Sequence, residues 1–574
     1  MKQPNNKASE RSFEIGVLVV AGIIIFWLVT SEVVALVAGG HHFLPTLSPS
    51  LKALYDTVAK GNPVIGWSKA DRMDLPSPMV FWLTTVMEIV IVGASIWIVS
   101  KKGWLDNQHD PKRRAPTRAD IKENLSVTAL KTRTSHLRND INVWERSVKP
   151  EHIGLFLGTE TTTHQEVWAA QDDSILMIGP PGSGKTSGFI VPAISEAPGA
   201  VIATSTRDEI VRHTAAQRCA NGHDGWVFAP QLDMPDIPGV RALAWNPLDG
   251  CDDHLTAIAR ATSLVKGGAG FNSSTTNADF WEASGIAVMR CYLMAGCVGE
   301  KTMADVVQWS TAPTSQVPRN ILRSYAPGWA AELEQLGNSS PQLVGSVWSG
   351  VRRALDCFAD PRVLDACSGT TNFRISDFLA NHGTAYFVGS GGTQLSIAPI
   401  VSALIEAITE QARQSQGRGH LTTPLSCILD EAANIAPLPT LPSLLSDGGG
   451  SGIQLLVVLQ SLAQGRHRWS EAEMDAMWDA STIKIVLPGM SHAQDLSAIS
   501  QLTGEIEELR TSTTTGEGGA SKGESTVKVP AWTPEQIRGL PVGHALVLHR
   551  RLKPIEIIST PYWERKQYHL VTGS

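Results

Sequence analysis

Residues 174–186 read SILMIGPPGSGKT, an apolar run that leads directly into a glycine-rich turn. The turn satisfies G-x-x-x-x-G-K-[ST] and follows a predicted strand, which is the context that a phosphate-binding P-loop requires. Backbone N–H groups of such a loop wrap a phosphate at a helix start, Lys185 neutralises phosphate oxygens, and the Thr186 hydroxyl ligates Mg²⁺. The pattern therefore predicts a site for ATP and Mg²⁺. The predicted nucleotide-binding residues are Gly179, Gly182, Ser183, Gly184, Lys185, Thr186 and Ser187.

Short apolar runs recur between helical stretches from residue 150 onward. Near-continuous runs of Ile, Val and Leu are typical of parallel strands that helices cover on both faces. They predict an α/β fold with a mostly parallel sheet. Pro192, shortly after the glycine-rich turn, predicts a helix that is short or kinked. The predicted strands are 174–179, 200–204, 225–230, 384–390, 425–431, 454–461 and 483–489.

Three segments depart from this alternation. Between about 252 and 375 the strand pattern lapses, and helical periodicity predicts an inserted all-helical domain. Residues 511–526 read TSTTTGEGGASKGEST and have few apolar groups, so they predict a mobile loop. Strand character resumes at 545–550 and 555–560, which predicts an added hairpin that completes the sheet.

A second motif lies at residues 425–431, which read LSCILDE and place two adjacent acids at the end of a buried-type strand. A P-loop protein needs one carboxylate to hold the Mg²⁺ shell and another group to orient water. We assign Asp430 to the metal and Glu431 to general-base catalysis. A solvated Asp-Glu turn is the alternative, and the buried-type strand before it argues against that interpretation.

A glutamine ends the next apolar strand. Gln460 places an uncharged amide beside the second motif, where a sensor of the γ-phosphate would lie. We assign it a catalytic role. A glutamine that caps a loop is the alternative, since single glutamines are common at strand ends.

Two apolar segments near the amino terminus, 15–38 and 79–100, are long enough to cross a hydrocarbon core of about 30 Å. Basic residues precede the first segment and follow the second, and the intervening loop 39–78 carries fewer. The positive-inside rule therefore predicts a multi-pass protein of the cytoplasmic (inner) membrane with both termini in the cytoplasm.

The net charge of −7 argues against a surface that coats nucleic acid, so any DNA contact must be local. All 7 cysteines follow the second apolar segment, without a C-x-x-C pair or a Cys/His spacing suited to zinc. We interpret them as reduced cytosolic thiols and limit the expected metal to the Mg²⁺ of the nucleotide.

The chain resembles the coupling-protein family of type IV secretion and conjugation, which are RecA-like P-loop motor ATPases. Three stretches carry the resemblance: IGPPGSGKTSGFIVPAI at 178–194, RALAWNPLDGC at 241–251, and CILDEAANIAPLPTLPSLLSDGGGSGIQLLVVLQSLAQ at 427–464. The resemblance implies a homo-hexamer whose nucleotide sites lie between subunits around a pore for DNA, most simply single-stranded. It also implies a helical domain that faces a relaxase or another substrate, and contact with components of a type IV secretion channel.

One departure from the family concerns catalysis. Family members tend to carry an arginine just before the glutamine-bearing strand, where residues 448–452 of this chain read GGGSG. Arg352, Arg353 or Arg466 would then have to reach the site of a neighbouring subunit, and we rank Arg466 first as a catalytic residue. An ordinary surface or ion-pair arginine is the alternative for all three.

Two other functions compete with a conjugative coupling motor. A membrane-tethered chromosome-partitioning DNA translocase belongs to the same motor superfamily, and a nucleotide-binding receptor or scaffold without turnover would explain the missing arginine. The intact Lys185, Thr186, Asp430 and Glu431 argue against the scaffold. The predicted domains are a cytoplasmic tail (1–14), a transmembrane helix (15–38), an extracytoplasmic loop (39–78), a second transmembrane helix (79–100), a cytoplasmic linker (101–149), the first part of the nucleotide-binding domain (150–251), the inserted helical domain (252–375), the second part of the nucleotide-binding domain (376–565) and a C-terminal tail (566–574).

Overall fold

The structure is a computed structural model that describes residues 114–565 except 139, 221, 269–277, 390–393 and 517–518, together with Met79, Leu83, Val86 and Met87. Apart from those four residues, the predicted tails, membrane segments and extracytoplasmic loop lie outside the described residues. Among the residues that are described, no helix is both long and apolar enough to cross a membrane. The chain divides into two units, residues 1–110 and 111–574, and the sheet lies in the second.

Strands form at every apolar run from which they were predicted, because Ile, Val and Leu side chains fit a pleated surface that is buried on both faces. The sequence pattern did not predict β1, β2, β6, β11 or β12. The strands are β1 (Gly154–Glu160), β2 (Glu166–Ala170), β3 (Ser174–Ile178), β4 (Val201–Ser205), β5 (Gly225–Phe228), β6 (Val240–Ala242), β7 (Thr384–Val388), β8 (Leu425–Leu429), β9 (Ile453–Leu459), β10 (Ile483–Val486), β11 (Glu505–Gly516), β12 (Gly519–Pro530), β13 (His544–His549) and β14 (Ile555–Ile558).

Within the described residues, twelve of these strands form one sheet in the order β2-β1-β14-β13-β10-β3-β9-β8-β4-β7-β5-β6. The strands from β10 to β6 run parallel to their neighbours. β13 and β14 form the predicted added hairpin, in which β13 pairs with β10 in antiparallel orientation. β1 and β2 then extend the same edge with further antiparallel pairs. The predicted α/β fold with a mostly parallel sheet is confirmed.

Side chains of the central strand β3 alternate between two hydrophobic cores. Ile175 and Met177 contribute to one core, and Leu176 and Ile178 contribute to the other. All four are fully buried. Because successive side chains of a strand point to opposite faces, this alternation means that packed layers cover the sheet on both sides.

Helices cover the two faces, and several begin at a side-chain cap that the sequence supplies. For example, the carboxylate of Asp253 accepts a hydrogen bond from the Thr256 backbone N–H (2.8 Å) at the start of α5. The helices are α1 (Arg118–Asn124), α2 (Val127–Leu137), α3 (Val191–Glu196), α4 (Glu209–Ala220), α5 (His254–Gly267), α6 (Ala278–Val298), α7 (Met303–Thr311), α8 (Val317–Tyr325), α9 (Pro327–Gly337), α10 (Pro341–Leu355), α11 (Pro361–Ser368), α12 (Ile375–Ala380), α13 (Gln394–Gly417), α14 (Ala432–Ile435), α15 (Leu441–Asp447), α16 (Leu462–Trp469), α17 (Glu471–Ala480), α18 (Ala493–Leu502) and α19 (Pro534–Arg538).

The helices α5 to α12 follow one another between β6 and β7, in the region for which an inserted helical domain was predicted. Their buried side chains join the core on one face of the sheet. The polar atoms of two buried aromatic residues are paired inside this insertion. Trp348 Nε1 donates to Tyr292 Oη (3.0 Å), which in turn donates to the Trp309 carbonyl (3.1 Å). The helical insertion is therefore packed onto the sheet by a shared core.

The region predicted as a linker is folded from residue 114 onward. Ile121 and Leu125 of this region are fully buried against the sheet. The backbone N–H of Trp168 on β2 donates to the carbonyl of Leu125 (2.8 Å). The helices α1 and α2 therefore cover the outer strands β1 and β2. The sequence pattern had predicted neither of these strands.

The prediction of a mobile loop at 511–526 is wrong. β11 and β12 pair in a continuous antiparallel register from Glu505↔Pro530 to Gly516↔Gly519. This ribbon is held by backbone hydrogen bonds, which need no apolar side chains, and its threonines favour extended backbone. Low apolar content therefore did not indicate the backbone conformation of this segment.

Candidate nucleotide site

The carboxyl ends of three adjacent parallel strands meet at one edge of the sheet. In the registers of β3, β9 and β8, Ile178 lies opposite Leu459, and Leu429 lies opposite Val457. The P-loop, Gln460 and the Asp-Glu pair follow these strand ends directly. The backbone N–H of Gly179 donates to the Leu459 carbonyl (3.0 Å), which ties the first residue of the P-loop to the strand that carries Gln460.

The P-loop adopts a conformation that depends on its glycines. Gly182 and Gly184 have φ values of 80° and 89°, in the left-handed region that side chains rarely adopt. A Cβ atom on Gly179 would lie 2.7 Å from the Leu487 side chain, so this position is closed to larger residues. The Ser183 hydroxyl donates to the Pro180 carbonyl (2.8 Å) and stabilises the turn.

The helix that follows the P-loop runs without a break from residue 186 to residue 196 and contains Pro192, from which a short or kinked helix was predicted. It begins with a π-helical turn at Thr186–Ile190 and continues as α3, in which Pro192 occupies the first turn. The side chains of Thr186 and Ser187 are half-buried, and the Ser187 hydroxyl lies 3.4 Å from the Gly184 carbonyl. Pro192 has no N–H to donate to a carbonyl of the preceding turn, and the helix changes from π-helical to α-helical geometry beside it.

The strand ends bring Lys185 and Asp430 together in the interior. Their relative exposures are 7% and 4%, and the positive charge of Lys185 acts on the Asp430 carboxylate. The pKa of Asp430 is raised to about 7, because burial, aided by the neighbouring charge of Glu431, outweighs the lowering effect of Lys185. Among the described residues, Asp430 Oδ1 has no hydrogen-bond partner. A buried carboxylate with an unpaired oxygen fits the role of a ligand to a cation.

No group of three or more His, Cys, Asp or Glu side chains in the described part of the chain could hold a metal ion. Mg²⁺ commonly binds through one or two protein oxygens and completes its octahedron with waters and phosphate oxygens. The Asp430 carboxylate and the Thr186 hydroxyl therefore fit Mg²⁺ that arrives with a nucleotide.

Hydrogen bonds hold Glu431 in a strained position. Its φ of 50° lies in the left-handed region, directly after β8. Asn434 Nδ2 donates to Glu431 Oε2 (3.2 Å), and the Thr206 hydroxyl lies 3.4 Å from Glu431 Oε1. The carbonyl of Asp430 accepts a hydrogen bond from the Thr204 hydroxyl (2.7 Å). The contacts fix both the backbone and the carboxylate of the predicted base.

A chain of amides connects the predicted base to Gln460. Gln464 Nε2 donates to Asn434 Oδ1 (3.0 Å), and Gln464 Oε1 accepts from the backbone N–H of Gln460 (3.2 Å). The Glu431 carboxylate at the end of β8 and the backbone N–H of Gln460 at the end of β9 therefore share one hydrogen-bonded network. The sequence had shown Gln464 beside Gln460, but Asn434 was not predicted, because an asparagine three residues after a glutamate is common in unrelated turns.

The three candidate trans arginines lie on two different helices. Arg466 is on α16, and its Nη1 donates to Asp495 Oδ1 (2.9 Å) of α18. The Asp495 side chain is fully buried, whereas Arg466 is 32% exposed. Arg352 and Arg353 lie on the exposed side of α10 in the helical insertion. The rank of Arg466 as a catalytic residue stays a prediction, and the structure gives this arginine an ion pair within its own chain.

A separate cavity of about 750 Å³ lies at the amino ends of β4, β7 and β8, away from these residues. Pro198, His382 and Thr423, which precede those strands, line it together with His152 and His223. Burial lowers the pKa of all three histidines. None of the residues predicted for the nucleotide site lines this cavity.

A family model described as the TraM recognition site of TraD and TraG matches residues 424–542, which include Asp430, Glu431 and Gln460. The conjugal transfer protein TraG of Agrobacterium fabrum (strain C58 / ATCC 33970) is 22% identical over 365 residues, covering 60% of this chain and 53% of the relative. The protein of the same name from Rhizobium radiobacter is 21% identical, covering 60% of this chain and 55% of the relative. The match thus spans about half the length of these curated relatives.

Solved structures of the coupling protein TrwB have the same fold. Unbound bacterial conjugative coupling protein TrwBdeltaN70 superposes with a TM-score of 0.54 at 17% identity, covering 77% of this chain and 94% of that chain. The plasmid coupling protein TrwB in complex with ADP and Mg²⁺ gives a TM-score of 0.51 at 18% identity, covering 69% and 88%. The resemblance of this chain to the conjugative coupling-protein family, predicted from three stretches of its sequence, is confirmed.

Proposed function

We propose that this chain is a P-loop ATPase that couples DNA-bearing substrates to a conjugation channel. The observation that carries the proposal is the convergence of Lys185, Asp430, Glu431 and Gln460 at one edge of the sheet. The likeness to TrwB, which has been solved with ADP and Mg²⁺ and with nonhydrolysable nucleotide analogues, supports a nucleotide at this edge.

Each residue has a distinct task in the proposed reaction. Backbone N–H groups of the P-loop and the Lys185 ammonium bind the phosphates, and the Thr186 hydroxyl and Asp430 would hold Mg²⁺. When bound, Mg²⁺ neutralises charge on the phosphate oxygens. The carboxylate of Glu431, held by Asn434, takes a proton from the attacking water, and the Gln460 amide orients groups at the γ-phosphate.

The proposal extends to assembly and cargo. We infer a homo-hexamer with nucleotide sites between subunits and a pore for single-stranded DNA that arrives with a relaxase. An acidic chain with a net charge of −7 can still bind DNA if several subunits bring a few basic residues to one pore. The segments 15–38 and 79–100 would anchor the ring in the cytoplasmic membrane beside the type IV secretion channel.

The description of the matching domain family as a TraM recognition site supports one further partner. We propose that residues 424–542 contact a TraM-like protein of the DNA-processing complex. The ribbon of β11 and β12 lies within that range and pairs as a sheet of its own, so it is a candidate for the contact.

A mating experiment tests the proposal. Full-length Lys185→Ala protein should fail to restore plasmid transfer in a donor that lacks the gene, because the site can no longer bind phosphates. Lys301→Ala, which changes an exposed residue of the helical insertion, is the matched control and should restore transfer. Transfer supported by Lys185→Ala at the control level would refute the proposed role of the P-loop.

A further inference from the structure

The helix α16 begins one residue after Ser461 and carries the sequence LAQGRHRW. The Ser461 hydroxyl caps its start by accepting from the Gln464 backbone N–H (3.2 Å). The Gln464 side chain reaches Asn434, which in turn holds Glu431. The first turn of α16 is thus hydrogen-bonded to the candidate nucleotide site.

The far end of the same helix is also tied to the second motif. Trp469 Nε1 donates to the carbonyl of Leu438, in the segment that follows Glu431 and α14 (2.9 Å). The middle of the helix is packed tightly, since a Cβ on Gly465 would lie 2.2 Å from the Met474 sulfur. Hydrogen bonds at both ends of α16 tie it to residues 431–438, and Met474 of α17 packs against its middle, so we treat α16 and residues 431–438 as one body, the nucleotide-site body.

Two arginines extend from this body to other parts of the molecule. Arg468 Nη1 donates to the Gly268 carbonyl (3.2 Å), and its Nη2 donates to the carbonyls of Lys266 (3.3 Å) and Gly267. These carbonyls are the last ones of α5. The last carbonyls of a helix have no partners within it and form the negative end of the helix dipole. Arg468 therefore binds the nucleotide-site body to the helical insertion.

Arg466 makes the second connection, through its ion pair with the buried Asp495 of α18. The end of α18 is in turn bound to the base of the β11–β12 ribbon. The Ser500 hydroxyl donates to the Trp532 carbonyl (2.6 Å), and the Thr503 hydroxyl accepts from the Trp532 backbone N–H (3.1 Å). Arg466 therefore binds the nucleotide-site body to the ribbon.

We propose that α16 transmits the occupancy of the nucleotide site to two elements, to the helical insertion through Arg468 and to the ribbon through Arg466. The inference rests on the proposed nucleotide site and gives the nucleotide-bound state a second role, which is to reposition these two elements. Both arginines are positioning residues, and Arg466 acts within its own chain. Gln464 contacts the nucleotide site and Arg468 contacts the end of α5, and the two residues are one helical turn apart, about 6 Å along the axis. A small displacement of Gln464 at the site therefore also moves Arg468.

Hydrogen–deuterium exchange of the full chain in detergent, with and without a nonhydrolysable ATP analogue and Mg²⁺, tests this transmission. The analogue should change exchange in the parent protein at the end of α5 and at the base of the ribbon. Arg468→Gln should lose the response at α5 and keep the response at the ribbon. Arg466→Gln should show the reverse, and both should bind the analogue with parental affinity.

His467→Gln is the matched control, because His467 is exposed between the two arginines on the same helix. It should keep both responses. If a Gln variant does not fold, its Lys counterpart decides. Arg466→Lys should retain the ribbon response through its remaining charge, whereas Arg468→Lys should lose most of the α5 response, since an ammonium cannot span three carbonyls as a guanidinium fork does.

Any one of the following results would overturn the proposal. In the first, the parent protein binds the analogue but neither element responds. In the second, both Gln variants keep both responses, or Arg466→Gln stops turnover while the ribbon response persists, as a trans-acting arginine would. In the third, the parent protein binds no analogue, which would refute the proposed nucleotide site itself and is distinguished by the binding measurement.

Discussion

The carboxylate of Asp430 lies buried within electrostatic reach of the Lys185 ammonium, and burial outweighs that attraction so that the pKa of Asp430 is raised to about 7. A raised pKa means that the folded protein retains a proton that the unfolded chain has lost. Without a cation, the contribution of this group to stability therefore declines as the pH rises from about 4 to about 7. Asp430 is poised to exchange its proton for a metal ion.

Binding of Mg²⁺ should consequently depend on pH. The Asp430 carboxylate must lose its proton to bind the metal, so the Mg²⁺ affinity of the analogue-bound protein should fall as the pH drops below about 7. The decrease should approach about tenfold per pH unit. Titration calorimetry between pH 6 and pH 8 would measure this Mg²⁺ affinity. Asp430→Asn should bind Mg²⁺ weakly at every pH, and the exposed control Asp475→Asn should keep the dependence. A pH-independent affinity in the parent protein would contradict the assignment of Asp430.

The amide that holds the predicted base should matter for turnover. Asn434→Ala removes the donor to Glu431 Oε2 and the acceptor for Gln464, so ATP hydrolysis should fall about 10- to 100-fold while nucleotide affinity stays unchanged. Steady-state hydrolysis together with analogue binding would measure the two effects separately. Equal losses in both quantities would indicate that Asn434 supports the fold and not the base.

The cavity at the opposite edge of the sheet should make stability sensitive to acid. Burial lowers the pKa of His152, His223 and His382, so the unfolded chain binds protons that the folded chain does not, and stability is lost as the pH falls below about 6.5. The melting temperature of a double variant, His223→Gln with His382→Gln, should fall less between pH 7.5 and pH 5.5 than that of the parent protein. His136→Gln, an exposed control, should follow the parent. Parallel losses in all three proteins would refute the role of the cavity.

The membrane topology is testable by labelling. If 15–38 and 79–100 cross the cytoplasmic membrane with both termini inside, a cysteine at Ser50 should react with an impermeant maleimide in intact cells, and one at Gly516 should not. The half-buried Cys219 and Cys297 should first be changed to serine to lower the background. Labelling at Gly516 and not at Ser50 would reverse the proposed orientation.

Local sequence predicted the parts of the fold whose cause is local. The P-loop, the acids after β8 and the glutamine after β9 each follow an apolar strand, so the parallel sheet that brings them together could be anticipated. β1 and β2, which read GLFLGTE and EVWAA, were missed because neither contains a continuous run of Ile, Val and Leu. The ribbon was missed because its register is set by backbone pairing.

Contacts between distant residues were beyond the reach of sequence spacing. The ion pair of Arg466 with Asp495 joins two helices 29 residues apart, and Arg468 reaches carbonyls about two hundred residues upstream. Nothing in the local pattern distinguishes such arginines from a catalytic arginine or a surface one. The Asn434 contact to Glu431 likewise depends on the left-handed backbone of Glu431, which an acid rarely adopts.

The most direct test of the proposed ATPase is turnover by Glu431→Gln. The substitution keeps the shape of the side chain and one oxygen that can accept from Asn434 Nδ2, but it removes the carboxylate that takes a proton from water. The full-length variant should bind ATP and Mg²⁺ with parental affinity, and its hydrolysis per protomer should fall at least about 100-fold at concentrations where the parent protein assembles and is active. Hydrolysis by Glu431→Gln at the parental rate would contradict the account.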